Sequence, residues 1–154
     1  DADKQHFETA AKKATQAKEQ LEAYMYELVQ YEHEGKNEKV VKIEAELLKK
    51  MNGQLDEPVW IEIQNDRVIT LAVSHRRSNI TKALQNITFF RQLRKLHCHH
   101  NRLLKTLPQL PPNLTHIDIR QTPAIHSPEV KQRLITYKKT HPSYEIVELL
   151  FEDS

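Results

Sequence analysis

Residues 93–125 read LRKLHCHHNRLLKTLPQLPPNLTHIDIRQTPAI, and their spacing decides the fold. Leu93, Leu96, Cys98, Asn101 and Leu103 follow an L-x-x-L-x-C-x-x-N-x-L pattern, which starts again at Leu114, Ile117 and Ile119 with Thr122 in the asparagine place. Alternate apolar residues over a few positions mark one inward face of a short strand, and their recurrence marks a repeating segment made of a strand and a return. Val68, Leu71 and Val73 fit the same positions upstream. Strands centred on Leu71, Leu96 and Ile117 are then separated by 25 and 21 residues.

Working outward, Trp60–Ile63 and Arg67–Val73 flank the turn-forming cluster Gln64-Asn65-Asp66, so a β-hairpin is expected whose second strand is the first repeat strand. Trp60 is expected to seal the exposed end of the core. Ile80, Leu84, Ile87 and Phe90 fall at helical gaps and predict a short helix within residues 78–92. The run Leu107-Pro108-Gln109-Leu110-Pro111-Pro112 favours an extended return. Ser127-Pro128-Glu129 supplies an N-cap, a proline at N1 and a first-turn acid for a helix that ends at His141-Pro142. Residues 144–151 are expected to form a last strand. This helix and strand would close the C-terminal end.

The N-terminal third is different. Phe7, Ala10, Ala14, Ala17, Leu21, Tyr24, Leu28 and Tyr31 alternate gaps of three and four, the seam of one long amphipathic helix. Gly35 breaks it, Asn37 can cap a second helix carrying Val40, Ile43, Leu47 and Met51, and Gly53 suits its end. An antiparallel αα-hairpin over residues 1–57 is expected, followed by a strand-rich domain over 58–154. The second helix is the shorter. The Ala-rich start of the first therefore needs a partner, either the repeat domain or a second chain through Phe7, Ala10, Ala14, Ala17 and Leu21.

Charge follows the same boundary. Residues 1–57 carry 9 Lys/Arg against 13 Asp/Glu, whereas 58–154 carry 14 against 8. Between Arg67 and Ile117 there are nine basic residues and no acid, a positive field that equally describes an ordinary solvated surface. At 154 residues and 38% hydrophobic the chain can bury a core, and no run has the length of a membrane-spanning helix. Its single cysteine excludes an internal disulfide, which fits a reducing compartment and equally an exported protein with a buried thiol. A start at Asp1 without Met is what removal of a signal peptide, or excision from a longer chain, would leave.

The run LPQLPPNLTHIDI, two leucine-proline pairs leading into a strand, resembles the bacterial class of leucine-rich repeat. That class is typical of effectors delivered by type III secretion, which place a helical hairpin before the repeats. The resemblance covers roughly residues 58–151, and the entry hairpin is similar to the capping region of extracellular plant-type repeat proteins. Arg76 and Thr122 replace the ladder asparagine found at Asn101. The resemblance implies an α/β fold, a short capped leucine-rich-repeat solenoid with parallel strands after an antiparallel αα-hairpin. It also implies a secreted or periplasmic location. The separate ligase domain of some effectors, with its reactive cysteine, has no counterpart in these residues.

Strand alternation assigns the ligand face. With Leu96 and Cys98 inward, Lys95, His97 and His99 point to the concave side, as do Thr70, Ala72 and Ser74 on the first strand and His116, Asp118 and Arg120 on the third. The run His97-Cys98-His99-His100 contains zinc-type ligands, yet alternation sends Cys98 away from its histidines, so no metal and no cofactor is expected there. His97 and His99 could make binding pH-sensitive. No nucleophile elbow or phosphate loop is present, which argues against an enzyme even with His97 beside Asp118. The dispersed basic residues lack a reading helix or aromatic platform for nucleic acid. The sequons at Asn79, Asn86 and Asn113 matter only in a eukaryotic secretory protein. The expected function is therefore non-enzymatic protein binding through Lys95, His97, His99, His116, Asp118 and Arg120, by a secreted bacterial effector or adaptor. Oligomerisation through the N-terminal helix is the alternative, and nucleic-acid binding by the basic surface a less favoured one.

Overall fold

A computed structural model of the chain describes residues 23–141 and the backbone of the strand Glu148–Leu150. The seam residues Phe7, Ala10, Ala14, Ala17 and Leu21 lie outside the described residues, as does most of the expected last strand. Two compact units divide between Val40 and Val41.

In the first unit, helix α1 covers residues 23–33 and buries Leu28. Gly35 ends it with φ 73°, a conformation that costs glycine nothing, and Lys36 N–H donates back to Tyr31 O at 2.8 Å. Tyr31 is held by a hydroxyl bond to Glu27 and lies under the Lys39 ammonium, 5.2 Å from the ring centroid. Helix α2, Asn37–Asn52, opens at the asparagine that the sequence offered as a cap.

The second unit begins inside α2. The physical reason is a set of bonds from α2 into the following hairpin. Glu44 accepts from Arg67 Nε at 2.9 Å and from Val68 N–H at 3.3 Å, and Asn52 Oδ1 accepts from Val59 N–H. The Glu44 and Arg67 side chains are only 3% and 7% exposed, so this ion pair is interior to the fold.

The unit is of α/β class, with a mixed sheet ordered β1-β2-β3-β4-β5. Strand β1 (Trp60–Gln64) pairs antiparallel with β2 (Arg67–Ala72). Asn65 and Asp66 between them both have positive φ, the backbone of a type I′ turn that matches strand twist. Strands β3 (Lys95–His97), β4 (His116–Asp118) and β5 (Glu148–Leu150) follow in parallel, each beside its predecessor. Leu71, Leu96 and Ile117 share one register row and are buried, as are Val73, Cys98 and Ile119. No helix of the described residues is long and apolar enough to cross a membrane.

The return segments meet one expectation and depart from another. The short helix expected within residues 78–92 is present as a 3-10 helix, Ala83–Phe89. Its winding rises about 2.0 Å per residue against about 1.5 Å for an α-helix, and the segment buries Ala83, Leu84, Ile87 and Phe89. Leu103, expected inward, is 44% exposed, and Leu104 takes the core position. Leu104 and Ile125 each stand three residues after Asn101 and Thr122, and both are buried, so the inward leucine belongs one residue later than the pattern placed it.

Between β4 and β5 a second 3-10 helix, Pro123–His126, leads into helix α3, Pro128–Thr140, capped by Ser127 Oγ accepting from Val130 N–H. This helix holds the proline-rich return, whose prolines lack N–H donors of their own. Arg133 donates to the carbonyls of Leu107 and Pro108, and Tyr137 donates to Pro111 O while accepting from Leu114 N–H.

Candidate functional site

The strand register assigns two rows to the outward face. One is Glu62, Thr70, Lys95 and His116; the other is Trp60, Ala72, His97 and Asp118. Directly paired residues present their side chains to the same side of a sheet. Trp60 therefore belongs with Ala72 on the outward face, and at 57% exposure it does not seal the core. The inward neighbour at this end is Val59, which is buried. Alternation along β1, propagated through the antiparallel pairing, thus places the chain's single tryptophan at the head of a row of candidate residues.

Within those rows accessibility is uneven. Lys95 is exposed, and His97 and His116 are half-buried. Thr70, expected to face a ligand, is 2% exposed because its short side chain lies between the longer Glu62 and Lys95. Asp118 is 3% exposed and also differs from expectation. Its carboxylate is occupied by Arg120, whose Nε and Nη2 donate at 3.1 and 3.0 Å and whose backbone N–H donates at 3.2 Å. Burial pushes the Asp118 carboxyl up, but these bonds, the Arg120 charge and His99 outweigh it and hold it below the usual carboxylate range. Arg120, not Asp118, is the accessible member of the pair.

Beyond the strands, the ladder continues through His75 N–H to His99 O and His100 N–H to Arg120 O. At this corner His75, His100 and Gln121 all have φ 59°, each four residues after Leu71, Leu96 and Ile117. The left-handed corner interrupts alternation, so His99 and His100 lie on the same side. Their Nδ1 atoms are 2.8 Å apart. The His75 ring stacks on His100, with centroids 4.4 Å apart and planes 16° apart, and meets His99 edge-on at 5.0 Å. Burial, opposed by Asp118 and reinforced by His75, His100 and His97, lowers the His99 pKa.

One residue later comes the asparagine place. Asn101 is completely buried; its amide donates to Cys98 O and Val73 O, and its carbonyl accepts from Arg76 N–H. Thr122 reproduces only the local bond, donating to Ile119 O at 2.6 Å. Arg76 reaches instead with its guanidinium to the carbonyls of Glu57 and Pro58.

Cys98 is fully buried, as its inward position predicts, and burial together with the Asp118 charge pushes its thiol up to about 12. Thiolate is the reactive form. Native protein at pH 8 is expected to leave Cys98 untouched by a chromogenic disulfide reagent, with one thiol per chain appearing on addition of denaturant. Rapid native labelling would show that the strand face opens at this position.

No family model, curated protein or solved structure matches the chain. An open groove of about 540 Å³ lies apart from these rows, where Leu110 and Pro112 meet Arg133, Tyr137 and His141 of the α3 region. The sequence pointed to Lys95, His97, His99, His116, Asp118 and Arg120. It missed Trp60, whose facing depends on hairpin register, and His75, which joins His99 from one segment earlier. The signal for His75 was present: it and His100 each stand four residues after an inward leucine, Leu71 and Leu96.

Proposed function

We propose that the chain is a non-enzymatic protein-interaction module of leucine-rich-repeat type, binding a protein partner through the outward strand face. The supporting observation is the exposed Trp60 in register with His97, flanked by the row carrying Glu62, Lys95 and His116. A solvent-facing tryptophan beside ordered polar side chains is the usual composition of an interface hot spot. The α/β architecture with successive parallel strands agrees with the resemblance in residues 93–125, and the corresponding role is that of an exported bacterial effector or adaptor.

A photo-crosslinking residue at Lys95, compared with one at Gln132 on α3, tests this in an extract of the organism that the protein acts on. Adducts are expected from position 95 only, and Trp60→Ala is expected to weaken them by about tenfold or more. Equal adducts from Gln132 that survive Trp60→Ala would move the interface to the helical side. Adducts to the chain itself would favour oligomerisation.

A further inference from the structure

We propose that His75, His99 and His100 form a binding site for a divalent transition-metal ion, with zinc the best match, that ties two successive strand-and-return segments together. Each residue offers an imidazole nitrogen, and these nitrogens all lie within 4.8 Å of one another. Nitrogens around a tetrahedral zinc, bound at about 2.0–2.1 Å, are roughly 3.3 Å apart, so modest ring rotations bring the three together. Binding would need the 2.8 Å contact between His99 and His100 to open slightly and the stacked ring of His75 to turn toward it.

The donor set selects the ion. Three imidazoles suit zinc, copper or nickel and do not suit the hard cations calcium and magnesium, which take oxygen. Cys98 cannot contribute because its side chain is buried in the core. His75 and His100 are exposed and His99 is half-buried, so the site is reachable from solvent with a coordination position left open to water or to a partner's side chain. The local charge permits a cation. Arg120, the next residue in the His99 column, is neutralised by Asp118 through two side-chain bonds, and the Asp118 carboxylate acts favourably on His99.

The backbone positions the ligands. His75 comes from the segment after β2, His99 and His100 from the segment after β3, and the bond from His75 N–H to His99 O at 3.1 Å fixes their separation. A bound ion would bridge residues 25 apart in sequence and would therefore stabilise the folded chain by mass action.

Zinc titration of the untagged chain at neutral pH, read by competition with a chromogenic chelator and by the melting temperature, tests the assignment. One ion per chain with a Kd of about micromolar or tighter is expected, together with a higher Tm. His75→Gly and His100→Gly suit φ 59° backbone, so these variants should fold while losing zinc affinity by at least about tenfold and losing the Tm rise. His99→Ala should do the same, and His126→Ala should bind as wild type. Absence of zinc binding by wild type, or wild-type affinity in His75→Gly, would overturn the site.

Discussion

Asn101→Ala is expected to lower stability by about 3 kcal/mol and the melting temperature by roughly 10 °C. The side chain is completely buried and joins four backbone groups of two segments, Val73 O and Arg76 N–H of one and Cys98 O and His99 O of the other. Alanine leaves those groups without their partner in a place too enclosed for easy hydration, at about 1–3 kcal/mol for each group not rescued. Urea unfolding followed by circular dichroism measures it, the midpoint falling at unchanged slope. Thr122→Ala, which loses a single local bond, serves as the comparison at about 1 kcal/mol. Equal effects from the two would mean that the bonds between segments add nothing beyond the local one.

Glu44→Ala should be larger, about 3–5 kcal/mol, because it leaves a buried guanidinium without its carboxylate. The bond from Arg67 Nε is 2.9 Å long between side chains that are almost entirely sequestered, and the same carboxylate accepts from Val68 N–H. Replacing both partners with leucine should recover much of the loss, since an apolar pair leaves neither charge to be buried. Chemical denaturation of the single and double variants distinguishes these outcomes. A double variant as unstable as Glu44→Ala would show that the Val68 contact, and not the charge, is what the fold requires.

The strands, the two-residue turn and the capped α3 were legible because each is a local pattern. Alternation placed Leu71, Leu96 and Ile117 inward, Gln64-Asn65-Asp66 marked the turn, and Ser127-Pro128 marked the helix start. What escaped depends on pairing between segments. Trp60 looks like a core residue until its register with Ala72 is known, and Leu103 looks inward until the backbone after Asn101 shifts the apolar position to Leu104. The Glu44–Arg67 pair links a helix to a strand with no repeat or motif to announce it. The histidine cluster fell between these cases. Alternation correctly separated Cys98 from its neighbours but has no term for a left-handed corner, and that corner brings His99 and His100 to one side beside His75.

The corner column carries a broader consequence. Three left-handed positions recur along the sheet, in a chain with two glycines, and none of the three is glycine. Histidine tolerates this backbone better than most residues, yet at a cost of about 1 kcal/mol or more at each site. Glycine or asparagine at these places would fold more easily and would erase the imidazoles. The corner is thus a position where foldability and ligand chemistry favour different residues, and its occupant would serve as a marker. Among related chains, histidine at both 75 and 100 would separate those that share the metal chemistry from those that share only the scaffold.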